Sequence, residues 1–123
     1  MIGQILLYSG AGVILIWGIA HLVPTKTIVD DFGEISKDNR RIVTAGWIAE
    51  GVTMIFVSLQ VFFTTFWGDS HLEVSIYLLS ASLLIVLGII SFFTIAKTSI
   101  LHMKLCPFIK GLAAALIILG SIW

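Results

Sequence analysis

An all-α integral membrane protein, built as one bundle of four transmembrane helices, is predicted by three features of this sequence. Hydrophobic residues make up 59% of its 123 positions and charged ones 11%, whereas ordinary soluble domains carry roughly 25% charged residues. Mean hydropathy is +1.10. Four apolar runs approach or exceed the about 20 helical residues that cross a hydrocarbon core of about 30 Å. The basic residues gather at two of the three connections between those runs. A net charge of zero leaves no basic face for nucleic acid.

The spans follow in order, within a single domain covering residues 1–123. Residues 2–23 are the first, and Pro24, which cannot continue a helix ladder, stops it. "MIGQILLYSG" has neither a basic leader nor an Ala-x-Ala site, so this segment is expected to stay in the membrane as a helix. Residues 41–66 are the second, with one charge inside, Glu50. Residues 74–96 are the third, uncharged and closed by Lys97. Residues 107–123 are the fourth, with Pro107 suited to a first helical turn.

Lys26, Lys37, Arg40 and Arg41 flank the first connection, and Lys97, Lys104 and Lys110 flank the third. The second connection, "WGDSHLE", has no Lys or Arg. The positive-inside rule then puts both basic connections in the cytoplasm and both termini outside. Trp67 and Trp123 would lie at the outer interface, where indoles anchor, and His71 would be solvated in the outer loop.

In the first connection, Ile28, Phe32 and Ile35 recur at helical spacing. Thr25 can cap and Gly33 can end a short amphipathic helix on the inner surface. Asp38 is suited to cap the second span. Small residues should mediate helix contacts, because apolar burial does not drive association in lipid. Gly10 and Gly18 with Ile14 and His21, the stripe Ser80, Leu84, Gly88 and Ser91, and the pair Gly111 and Ala115 are the candidates. Such stripes serve equally within one bundle, in a homo-oligomer, or against a larger membrane complex.

Glu50 is the residue that most invites a functional reading. It lies nine residues past Arg41, about 13 Å below the inner interface. A carboxylate at that depth costs about 2.5 kcal/mol or more and marks a functional site or a packing lock. His21, three residues before Pro24 on the neighbouring antiparallel helix, is its best partner. Helix rise puts the two about 9 Å apart, so a water or a substrate group would bridge them. Lys110 enters from the same side, but its long stem is expected to snorkel to the cytoplasm. Trp17 and Trp47 would complete the cavity wall, and Arg40 and Arg41 would feed protons through His21 to Glu50. His102 and Cys106, four residues apart, are too few for a closed metal site, so no metal is assigned. Cys106 is the lone cysteine, which excludes an internal disulfide.

"WGIAHLVP" closing the first span and "WIAEGVTMIFVSLQV" in the second, joined by a polar connection, resemble the DoxX-like family of small four-helix bacterial membrane proteins. The family pattern ends one helix with Gly-x-x-His or Lys and carries Glu followed by Gly and aliphatic residues in the next. Gly18, His21 and Pro24 match the first element, and Glu50 and Gly51 the second. "DNRRI" departs from the pattern, and the back half matches only as two further apolar helices. The resemblance implies a multi-pass protein of the bacterial cytoplasmic membrane, a small subunit or accessory of quinone-linked or thiol-redox systems. A lipid-like or quinone-like ligand fits His21 and Glu50. A haem between His21 and His102 is not expected, since His102 reads as a loop residue.

Three other functions stay open. A small proton-coupled transporter also uses four helices and a membrane Glu, but in its first helix and without this one-sided charge bias. A glutathione-using four-helix enzyme needs an Arg, Asn and Glu set, and "RRIVTAGWIAE" lacks the Asn. A purely structural subunit needs only the small-residue stripes. The chain is not expected to act as an enzyme on its own.

Overall fold

The computed structural model describes residues 1–68, 72–94 and 101–123. Among them are the helices α1 (Ile2–Leu22), α2 (Thr25–Asp30), α3 (Lys37–Trp67), α4 (Glu73–Phe93) and α5 (Leu101–Ile122), and no strand. All but α2 are long and apolar enough to cross a membrane. The protein is a multi-pass, all-α, four-helix membrane bundle. Asp69, His71, Ala96 and Lys97 lie outside the described residues.

Around the bundle the order is α3, α1, α5, α4, each helix packed closely on the next. The ring closes through a much looser contact between α4 and α3. Consequently α3 and α5 stand diagonally opposite, as do α1 and α4.

Two helix starts differ from expectation. The second span begins at Lys37, not residue 41, because Ser36 rather than Asp38 is the cap. The Ser36 hydroxyl accepts the Asn39 amide hydrogen at 3.1 Å, and Asp38 sits in the first turn, favourably placed against the positive end of the helix dipole. The fourth span begins at Leu101, which puts Pro107 inside α5 instead of in its first turn. "LHMKLC" consists largely of good helix formers, and Met103 and Cys106 from it are buried. Membrane helices tolerate such an internal proline. The inward stripe of α5 includes Met103, Cys106, Lys110, Ala113, Ala114, Ile117 and Gly120. Gly111 and Ala115, expected at a helix contact, face outward.

The other two stripes are buried as expected: Gly10, Ile14, Gly18 and His21 on α1, and Ser80, Leu84, Gly88 and Ser91 on α4. The apolar core takes residues from all four spans, with Ile14, Met54, Leu84 and Ile117 fully enclosed. Near the termini, a Cβ placed on Gly120 would come within 2.8 Å of the Gly3 carbonyl oxygen. The α1 and α5 backbones can approach that closely only because both residues lack side chains. Ser58 on α3 donates to the Ala11 carbonyl of α1 at 2.7 Å. Trp67 and Trp123 are exposed at this end of the bundle.

At the opposite end the chain must leave α1 and enter α3. Pro24 brings no N–H to the ladder, and α1 finishes with carbonyls that need partners. Trp47 Nε1 donates to the His21 carbonyl at 2.7 Å, and Thr25 Oγ1 to that of Leu22 at 2.6 Å. Thr25 therefore serves the end of α1 and is not the cap of α2, whose cap position is Pro24. The short helix is six residues long and turns in Ile28 and Val29. Ile28 packs with Trp47 and Met103 over the bundle's mouth. Phe32, expected on the same face, is 52% exposed, because the turn ending at Gly33 (φ +75°) redirects the chain first. Arg40 bonds the Asp30 carboxylate, tying α2 to α3. That hydrogen bond holds the Asp30 carboxyl below its ordinary value of 3.8.

Candidate functional site

The site grows from the end of α1. His21 is the penultimate residue of that helix and is fully buried. Its ring stacks on Trp47 of α3, centroids 3.8 Å apart and planes at 14°. The same indole holds the His21 carbonyl, so one side chain fixes both the backbone and the ring plane. On α5, His102 stacks on Trp17 of α1 at 4.4 Å and 5°. The two histidines meet edge to edge, His102 Nε2 lying 3.5 Å from His21 Nδ1.

His21 Nε2 points the other way and lies 3.7 Å from Glu50 Oε2. The expected gap of about 9 Å does not exist. It assumed that Arg41 and Pro24 share a level, whereas α3 starts at Lys37 and its first turns overhang the end of α1. The contact also depends on Gly51. A Cβ there would meet Leu22 Cγ at 2.7 Å and His21 Cδ2 at 3.3 Å, so α1 can lie this close to α3 only beside a glycine.

Lys110 does not snorkel. It is fully buried, and its Nζ bonds Glu50 Oε1 and donates to Ser91 Oγ at 2.8 Å. It lies nine residues into α5, about 13 Å along the axis by helix rise, beyond the reach of an escape to the helix end. Ser91 in turn donates to the Leu87 carbonyl at 2.8 Å. Each spanning helix thus contributes: His21 from α1, Glu50 from α3, Ser91 from α4, and Lys110 with His102 from α5. Glu50 and Lys110 reach across the diagonal of the bundle.

A buried ion pair gains little net stability after desolvation, yet removing one partner strands a charge at a cost of about 3–5 kcal/mol. The pair is not sealed. Glu50 keeps 23% of its side chain exposed because α3 and α4 pack loosely beside it. A crevice of about 420 Å³ opens there, lined by Ala49, Glu50, Thr53, Leu87, Ile90, Ser91 and Thr94. Most of that wall is apolar, and it faces outward from the bundle between two membrane-spanning helices. Thr53 and Thr94 satisfy their hydroxyl hydrogens on Ala49 and Ile90 carbonyls. Glu50 and Ser91 are therefore the polar groups at its floor with links into the bundle.

Of the residues read from the sequence, His21, Glu50, Trp17 and Trp47 come together. Arg40 and Arg41 do not. Arg40 is engaged with Asp30 and Arg41 is exposed, both on the first turns of α3. Lys110 and Ser91 were missing from the sequence-derived site, and His102 stands in the first turn of α5 instead of a loop. Trp17 Nε1 and His21 Nε2 are buried without a hydrogen-bond partner. No protein-family model, curated protein or solved structure matches the chain.

Proposed function

We propose that this protein binds a lipophilic molecule with a polar head, quinone-like or lipid-like, as the DoxX-like resemblance implies, alone or as an accessory subunit of a membrane redox system. Its setting on this reading is the bacterial cytoplasmic membrane, with the α2 end inside. The observation that carries the proposal is the crevice between α3 and α4, which leads from the lipid-facing surface to Glu50 and Ser91. An apolar wall with few convergent polar groups is the usual form of a small-molecule site. Glu50 and Lys110 balance each other's charge, so a neutral head that accepts and donates hydrogen bonds fits better than an anionic one. A head carrying net charge would add an uncompensated charge to a partly desolvated site.

Titration of the protein in nanodiscs with decylubiquinone, followed by tryptophan emission, tests this. Trp47 stacks on His21, which faces Glu50, so a quinone head in the crevice should quench its emission saturably. Glu50→Gln should weaken binding about tenfold, as loss of one charge-assisted hydrogen bond of about 1.4 kcal/mol would. Linear, non-saturating quenching that is identical in both proteins would be partitioning into lipid and would end the quinone reading. Mass spectrometry of the organic extract from purified protein checks for a lipid in its place.

A further inference from the structure

Both ring nitrogens of His21 face titratable side chains. Nδ1 faces His102 Nε2 at 3.5 Å, and Nε2 faces Glu50 Oε2 at 3.7 Å. A histidine kept for packing ordinarily anchors one nitrogen on a backbone carbonyl or a solvent-facing group. Here the backbone carbonyl in play is His21's own, and Trp47 takes it. His21 is sealed from solvent, whereas His102 is only half-buried and occupies the second position of α5, at the end of the bundle where α2 lies. Glu50 opens on the other side into the crevice between α3 and α4. The three groups are therefore in line, from the end of the bundle, through its sealed interior, to its lipid-facing flank.

We propose that His102, His21 and Glu50 form a proton path from the aqueous end of the bundle to the head of a molecule in the α3–α4 crevice. This deepens the ligand reading and rests on it only for what finally takes the proton. Imidazole suits such a path because it can accept a proton at one nitrogen while releasing one from the other. His102 passes the proton on its Nε2 to His21 Nδ1. His21 releases the proton on its Nε2 to Glu50, and ring tautomerisation restores the starting form. No electron moves, and one proton enters for each that leaves. Stacking on Trp17 and Trp47 holds both ring planes while leaving the nitrogen edges free to close the last few tenths of an ångström.

The remaining groups around the path explain why the proton does not rest there. Lys110 from α5 faces Glu50 and Ser91 from α4 supports Lys110. Cys106, also buried, sits one turn from both His102 and Lys110 on α5. From α2, Lys26 and Asp30 are exposed and outside the cluster. Once Glu50 is protonated, Lys110 loses its counter-charge inside the bundle. That state is costly, and it is relieved when Glu50 passes the proton to a quinone oxygen that electrons from a separate membrane reductant have made anionic.

The test needs no ligand. With ¹⁵N labelling of histidine and tryptophan the protein gives signals from only three imidazoles, His21, His71 and His102, separable by His71→Asn and His102→Gln. Exchange of the His21 ring proton with water should be fast in the wild type. In His102→Phe it should slow by about a hundredfold, the scale on which loss of a positioned acid–base group slows proton transfer. The polar but non-titrating His102→Gln should slow it comparably, and His71→Asn should leave it unchanged. Signals from the four tryptophan indoles report whether each variant keeps its fold, and His102→Gln serves if His102→Phe does not. Unchanged His21 exchange in a folded His102 variant overturns the path. Decylubiquinone titration of the same variants separates the two readings. Quench-competent binding with unchanged exchange sinks the path alone, and slowed exchange without binding sinks the quinone alone.

Discussion

At the residue scale, Lys110 and Glu50 decide whether the interior is stable and what it can hold. Lys110→Met replaces a buried cation by a side chain of similar length and leaves Glu50 beside an apolar neighbour. Thermal unfolding in micelles should show a loss of about 3 kcal/mol, the cost of stranding one partner of a buried pair. Lys110→Met combined with Glu50→Gln should recover most of it, because neither charge is then left alone. Losses that simply add in the double variant would mean that the two side chains are not energetically coupled. His21 and Glu50 were legible from sequence because each is a polar group inside an apolar run. Lys110 was not, for a definite physical reason. Reading Pro107 as the start of its helix leaves Lys110 within one turn of water, where snorkelling is favourable. Starting the helix at Leu101 adds six residues, about 9 Å by helix rise, and moves the same ammonium group out of reach of water.

At the scale of elements, the small-residue positions separate contacts that hold helices together from those that merely look as though they do. Gly120→Ala directs its new methyl at the Gly3 carbonyl and the Leu7 amide, both backbone, at 2.8–2.9 Å. Backbone cannot rotate aside, so α1 and α5 must separate, at about 1–3 kcal/mol for this kind of overpacking. Gly111→Ala meets nothing within 4 Å and should leave the melting temperature unchanged or slightly raised, since alanine is the better helix former by about 1 kcal/mol. Equal effects of the two changes would contradict the observed face of α5. Sequence periodicity located every spanning helix but not this face, because two candidate stripes differ by one residue and only packing against α1 and α4 chooses between them. The α2–α3 tie is a matter of pH. Asp30 is held below 3.8 by Arg40, so whatever the tie contributes is present above that pH and fades as the medium is acidified through the lowered value. Exchange protection of the α2 amides should fall in that acidic window in the wild type, and Asp30→Asn should already show the loss at neutral pH.

For the whole molecule, the site's position only has meaning relative to the two sides of the membrane, and charge distribution supplies that relation. The described basic residues Lys26, Lys37, Arg40, Arg41 and Lys104 all lie at the α2 end or beyond, on exposed or half-exposed surface, with buried Lys110 the exception. Both chain termini lie at the opposite end, with Gly3 against Gly120. The positive-inside rule counts such flanking charges and would place the α2 end in the cytoplasm. His102 would then take protons from the cytoplasmic side. Cys106 is fully buried, which leaves a nearly silent background for thiol labelling. In intact cells, a membrane-impermeant maleimide should leave Glu34→Cys unlabelled, because Glu34 is exposed at the α2 end, and should label Trp123→Cys at the exposed terminus. Permeabilised cells should label both. The reverse pattern would turn the bundle over and put the mouth of the proton path outside. Labelling of both positions in intact cells would mean that the chain inserts both ways, which the one-sided distribution of charge is expected to prevent.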